Sequence, residues 1–169
     1  MSDYNRTTRE CSVSQLHPEL RQAIRRYFEE HELGDLEAET LMCCETLSEK
    51  KNISRLVSLL KGAEDTTIHT GMLLTSQWLI WVRRGDQSGT LLTAANLKEI
   101  QARAFTSILV KDTGLEIFGY IGDSKGKMRG YIGTGSELAA QKFCEEVQKA
   151  IANVTPPTQK GWPKWMGGQ

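Results

Sequence analysis

Residues 71–85 read GMLLTSQWLIWVRRG, and the second half of this stretch is apolar at consecutive positions. In an extended chain Trp78, Ile80 and Val82 project to one side, and Leu79 and Trp81 project to the other. Such a strand leaves neither side to water. One apolar side suits a sheet interior, and the second calls for a cover of its own.

The nearest cover in the sequence is LHPELRQAIRRYFEEHEL, residues 16–33, where Leu16, Leu20, Ile24 and Phe28 recur at helical spacing with Ala23 and Tyr27 on a flank. Pro18 suits a first helical turn and Gly34 a stop, while Arg21, Arg25, Arg26, Glu29 and Glu30 mostly face water. The expectation is a sandwich in which Leu79 and Trp81 point outward beneath this helix or form part of a partner groove.

Beyond residue 35 the pattern turns β-tolerant. A first strand is expected within residues 36–48, around TLMCCET, and others at 68–75, 78–83, 90–94, 99–105, 115–121 and 128–132. The breaks GDQSG and GDSKGK are turn-rich, so the strands read as an antiparallel meander and not as βαβ units. Between the first two strands, KKNISRLVSLLKG sets Ile53, Leu56, Val57 and Leu60 on one face of a short amphipathic helix. The last element, residues 134–154, opens with Thr134 and Glu137 in capping-box spacing and carries Leu138, Phe143, Val147, Ala150, Ile151 and Val154 along one stripe.

At 169 residues the chain suits one domain with extensions. Residues 1–35 read as an N-terminal extension with a polar start, 36–154 as the domain, and 155–169, rich in proline and glycine, as a flexible tail. Charged residues are 25% of the chain and cancel to a net charge of 0, which removes any global field drawing it to nucleic acid. The basic loops also lack interleaved aromatics for base stacking. No apolar leader and no run of about eighteen apolar residues is present, so a cytoplasmic location without a transmembrane segment is expected. Cys11, Cys43, Cys44 and Cys144 contain no C-x-x-C, and reduced thiols are the default.

Seven candidate strands followed by one amphipathic helix is the element order of the pleckstrin-homology-like superfold. GMLLTSQWLIWVRRG resembles the G-x-L-x-x-T-x-x-R-L-I strand pair of GRAM and bacterial PH-like domains, with Gly71, Leu73, Thr75, Leu79 and Ile80 filling the pattern and Trp78 standing where that family commonly has arginine. The resemblance covers residues 36–154. It implies an α+β fold: a bent antiparallel β-sandwich or partly open barrel of about seven strands, capped by the C-terminal helix. It also implies that the first, third and sixth inter-strand loops gather at the open end. They would bring together Lys50, Lys51, Arg55 and Lys61, Arg83 and Arg84, and Lys125, Lys127 and Arg129, set against Glu49, Glu64, Asp65, Asp86 and Asp123.

His17, His31 and His69 are scattered, and no His-Glu-x-x-His, Gly-x-Ser-x-Gly or Walker loop is present. Neither a catalytic, a metal nor a cofactor site is expected. GTGS, residues 133–136, reads as a turn and cap. The expected function is a non-enzymatic adaptor that docks to a protein partner through Leu79 and Trp81, through the N-terminal helix, or through Trp162, Trp165 and Met166 of the tail. Attachment to an anionic membrane through the basic loops is the competing reading. A thiol switch at Cys43 and Cys44 is the third, although neighbours in a strand point their β-carbons apart. The tail binds in cis or in trans, and the oligomeric state stays open.

Overall fold

A computed structural model describes residues 4–51, 64–107 and 112–154 of the chain. Strand β1 is Tyr4–Glu10, followed by a 3-10 turn at Val13–Gln15 and helix α1 at Pro18–Glu30. A four-residue helix α2, Leu36–Glu39, leads into β2 at Met42–Lys50. Then come β3 Thr67–Leu74, β4 Trp78–Gly85, β5 Gly89–Asn96, β6 Ile100–Ser107, β7 Asp112–Gly119 and β8 Met128–Thr134. Helix α3, Leu138–Val154, closes the described chain.

The fold is α+β with two antiparallel sheets and no closed barrel. The first has the order β1-β2-β3-β4-β5 and the second β6-β7-β8. All six strands expected between residues 68 and 132 are present, with ends shifted by a few residues. The expected helix at 53–60 and the tail both lie outside the described residues. No described helix is long and apolar enough to cross a membrane.

Two expectations about the first half of the chain are corrected. Residues 4–10 are not a polar lead-in but a full strand, antiparallel to β2 from Tyr4 opposite Lys50 to Glu10 opposite Cys44. Residues 36–39 are helical, because the Asp35 carboxylate accepts from the Ala38 N–H at 2.8 Å and caps a run of good helix formers, so β2 starts only at Met42.

Strand β4 is buried from both sides. Ile80 and Val82 lie with Leu20, Ile24 and Phe28 in a core between the first sheet and α1, and Trp78 packs against its margin. Leu79 lies with Met72, Leu115, Ile117, Phe143 and Val147 in a second core, between the two sheets and α3. The expected orientation is therefore reversed: Leu79 faces the sandwich interior, and α1 covers the Ile80 side. Alternation tells which side chains share a face, and only packing decides which face looks inward. Helix α1 lies close over Gly71, opposite Val82, where a Cβ would make ordinary contact at 3.4 Å from Leu20 Cδ1 and 3.5 Å from Leu16 Cδ2 but a longer side chain has no room. Each of the large α1 side chains so buried contributes roughly 1.5–3 kcal/mol.

Helix α3 presents Phe143, Cys144, Val147 and Ile151 to the inter-sheet core. Leu138, expected on that stripe, is 79% exposed instead. The expected capping box is not formed: the Thr134 hydroxyl donates locally to the Gly135 carbonyl, and the Glu137 carboxylate makes a tertiary bond, accepting from the Thr8 N–H at 3.1 Å. Gly135 N–H in turn donates to the Thr8 hydroxyl at 2.9 Å, which ties the start of α3 to β1.

Candidate functional site

Along each strand of the first sheet, the inward side chains change character toward the end that carries the β2–β3 and β4–β5 connections. On β4 the series is Leu79, Trp81, Arg83, and on β3 it is Leu74, Met72, Thr70, Ile68. On β2 it is Met42, Cys44, Thr46, Ser48, and on β5 Ala95, Thr93, Leu91. Leu79, Leu74, Met72, Met42, Cys44 and Ala95 enter the inter-sheet core, and Trp81 packs against it. Past Trp81, Arg83, Leu91 and Thr93 line a groove whose bottom is formed by the buried Ser48, Ile68 and Thr70.

The second sheet lies across the first and leaves the groove beside its own edge strand. At one end β8 abuts β1, where a Cβ on Gly133 would stand 2.6 Å from Arg6 Nε. At the other, the Gly122 N–H donates to the Ala94 carbonyl of β5 at 2.8 Å. Tyr131, Ile132 and Gly133 of β8 form one wall, with Tyr4 and Arg6 at the β1 end and Leu91 and Thr93 at the β5 end. The cavity measures about 420 Å³, within the usual range of about 300–1,000 Å³ for ligand sites. Its lining mixes apolar and aromatic surface with hydroxyls and two arginines, and holds no carboxylate among the described residues.

Arg83 of the lining is held by the buried Asp65. Asp65 Oδ1 accepts from the N–H groups of Gln87 and Ser88 at 2.7 and 2.9 Å, and Oδ2 accepts from Ser88 Oγ at 2.6 Å and Arg83 Nη2 at 3.0 Å. The Tyr4 hydroxyl donates to the Asp65 carbonyl at 2.8 Å. Asp86 answers from the opposite turn, accepting from the Thr66 N–H at 2.8 Å and the Thr66 hydroxyl at 2.6 Å. Burial of Asp65 opposes its charged form, but the bonds from Ser88 and Gln87, together with Arg83, outweigh it and hold the carboxyl at about 2. Gly85 is required here because a Cβ would lie 2.2 Å from the Asp65 carboxylate.

Of the expected partner-binding residues, Leu79 is fully buried and cannot meet a partner. Trp81 is half-buried; one part packs on the inter-sheet core and another lines the groove. Trp162, Trp165 and Met166 lie outside the described residues, as do Arg55 and Lys61.

The remaining expected basic positions do not form one unopposed patch. Lys50 pairs with Glu64, Arg83 with Asp65, Arg84 with Glu19 and Arg129 with Glu116. Lys51, Lys125 and Lys127 are exposed, and the last two stand on the β7–β8 connection that meets β5.

Cys43 belongs to the core beneath α1 and Cys44 to the inter-sheet core, on opposite faces of β2.

Sequence reading missed a buried polar cluster on the α1 side. Glu45 accepts from Arg9 Nη2 at 2.7 Å and meets His69 Nδ1 at 3.0 Å, and the His69 ring lies 4.7 Å from that of His17. The partners come from β1, β2, β3 and the start of α1, so spacing along the chain could not bring them together. Among the described residues, no three His, Cys, Asp or Glu side chains gather into a metal-binding group. No protein-family model, curated protein or solved structure matches this chain.

Proposed function

We propose that this chain is a non-enzymatic binding module of the pleckstrin-homology-like type, acting inside the cell, whose inter-sheet groove takes an extended acidic segment of a partner protein. The observation that carries the proposal is the groove along the inner face of the first sheet beyond Trp81, lined by Arg6, two tyrosines, three hydroxyl side chains and Arg83, the last held by Asp65. Strand β8 borders it and is an edge strand, so its outer backbone groups can pair with an added chain while the floor receives alternate side chains. An acidic segment complements the lining. The chain's own residues 155–169 carry Lys160 and Lys164 and no acid, which favours an occupant supplied in trans.

Two sheets with a C-terminal helix across their open corner fit the pleckstrin-homology-like reading, and β1 and α1 are additions to it. Attachment to an anionic membrane is the weaker reading, because Lys50, Arg84 and Arg129 already face carboxylates.

Selection from a displayed random-peptide library on the immobilised full chain tests the proposal. It is expected to enrich acidic sequences whose binding falls with salt and is lost in Trp81→Ala. Enrichment of basic or purely apolar sequences, or binding indifferent to Trp81, overturns it. A chain ending at Val154 that binds the same peptides markedly better would identify the tail as the native occupant instead.

A further inference from the structure

We propose that Cys11 and Cys43 form a reversible, peroxide-sensitive disulfide that fastens β1 to β2 and closes the segment carrying α1. The antiparallel register that ends with Glu10 opposite Cys44 sets Cys11 opposite Cys43, and the Cys11 N–H donates to the Cys43 carbonyl at 3.1 Å. Hydrogen-bonded antiparallel partners have Cα atoms about 5.5 Å apart, inside the range of about 4.4–6.8 Å that a disulfide spans. Both side chains lie on the α1 side of the sheet, Cys43 buried and Cys11 packed at the margin of the same core. Neighbouring Cys43 and Cys44 have no such geometry, because they enter different cores.

The pair is also chemically asymmetric. Cys11 is half-exposed, and the bond from Cys43, aided by the Arg9 guanidinium, holds its thiol below the ordinary value despite partial burial. Cys43 is pushed up by the same bond and by burial. An accessible thiol held below its ordinary value, next to a buried thiol, is the arrangement of an attacking and a resolving cysteine.

Hydrogen peroxide is the oxidant by class. The Cys11 thiolate attacks one peroxide oxygen, the O–O bond breaks, and the departing hydroxide takes up a proton as water, leaving a sulfenic acid. The Cys43 sulfur then attacks the Cys11 sulfur, its proton joins the leaving hydroxide as a second water, and the S–S bond forms. Both electrons come from the thiol pair, and a dithiol reductant reverses the change. The closed loop contains α1 and α2, so the cross-link restrains the helix that covers the Ile80 face of β4. This inference stands apart from the groove.

The test is a peroxide titration of the full chain, read by intact mass, thiol labelling and peptide mapping. The expected product is a monomer lighter by the two thiol hydrogens, with a Cys11–Cys43 cross-linked peptide and a melting temperature raised by several degrees, all reversed by dithiothreitol. Cys11→Ser, a change at a half-exposed site, should abolish it. In Cys43→Ser a Cys11 sulfenic acid should persist and be trapped by dimedone. Direct passage of Cys11 to sulfinic acid in the native sequence, a cross-link to Cys44 or Cys144, or only intermolecular dimers would each overturn the proposal.

Discussion

Leu79 and Ile80 are consecutive residues of β4, and both are fully withdrawn from solvent, in two different cores. A strand buried on both sides in an otherwise antiparallel sheet needs two covers, and here the second sheet with α3 supplies one and α1 the other. The first helix is therefore part of the structural framework. Stability measured on single substitutions should reflect this.

Leu20→Ala, on α1, should cost about 2–5 kcal/mol, as much as Leu79→Ala in the inter-sheet core, while Arg25→Ala on the exposed face of α1 should cost under about 1 kcal/mol. Urea denaturation checks it through the midpoint at unchanged slope. A Leu20→Ala protein as stable as its parent would mean that α1 does not hold the Ile80 face.

Gly71 makes a sharper prediction about the same contact. A Cβ at this position meets Leu20 and Leu16 at 3.4–3.5 Å, ordinary van der Waals distance, so Gly71→Ala should change stability by less than about 1 kcal/mol. Gly71→Leu has no room and should lose several kcal/mol or release α1, seen as easier proteolysis between residues 12 and 36. Equal stability of the two variants would contradict the packing described.

Acid stability follows from Asp65. Its folded-state value of about 2 lies below the ordinary 3.8, so its contribution is complete above about pH 4 and is lost as pH falls toward 2. Asp65→Asn should lower stability at pH 7 and flatten the fall in stability between pH 4 and 2. Thermal melts across that range are the check, and a variant that keeps the native slope would remove Asp65 as the group responsible.

The groove can be tested without disturbing the core. Leu91 is 66% exposed and stands opposite Arg83 in register, so Leu91→Glu puts a carboxylate beside that guanidinium. Affinity for acidic peptides should drop at least about tenfold, a loss of roughly 1.4 kcal/mol, with the melting temperature unchanged. Leu138→Glu, at another exposed leucine, should leave binding intact. Equal effects from both changes would point to overall charge and away from a site.

For the membrane reading, the ion-paired basic residues lead to a plain expectation. Pelleting with anionic vesicles at low salt should not exceed pelleting with neutral ones. Strong anionic recovery that falls with salt would shift the binding surface to the exposed Lys51, Lys125 and Lys127.

Much of this architecture is legible in the sequence, for identifiable reasons. The α1 stripe Leu16, Leu20, Ile24, Phe28 is regular enough to specify both element and face, and all four side chains are buried. The meander from β3 to β8 shows through its turn residues. Strand β1 does not, because Thr8 is the only fully buried side chain of the described seven, and an edge strand held by ladder and Thr8–Thr46 bonds carries no apolar alternation. The groove is illegible for a different reason: its lining is drawn from β1, β2, β3, β4, β5 and β8, and only the crossing of the sheets brings Arg6 to Gly133. Opposing cysteines on β1 and β2 become visible only once that register is known.

Backbone amide and Trp indole shifts of the labelled protein, recorded as a selected acidic peptide is added, test the central claim most directly. The account predicts the largest changes at Tyr131, Ile132 and Gly133, at the Trp81 indole, and at Thr70 and Thr93, with little change on α1. Shifts confined to α1 or to the Lys125 and Lys127 turn, with the groove silent, would contradict it.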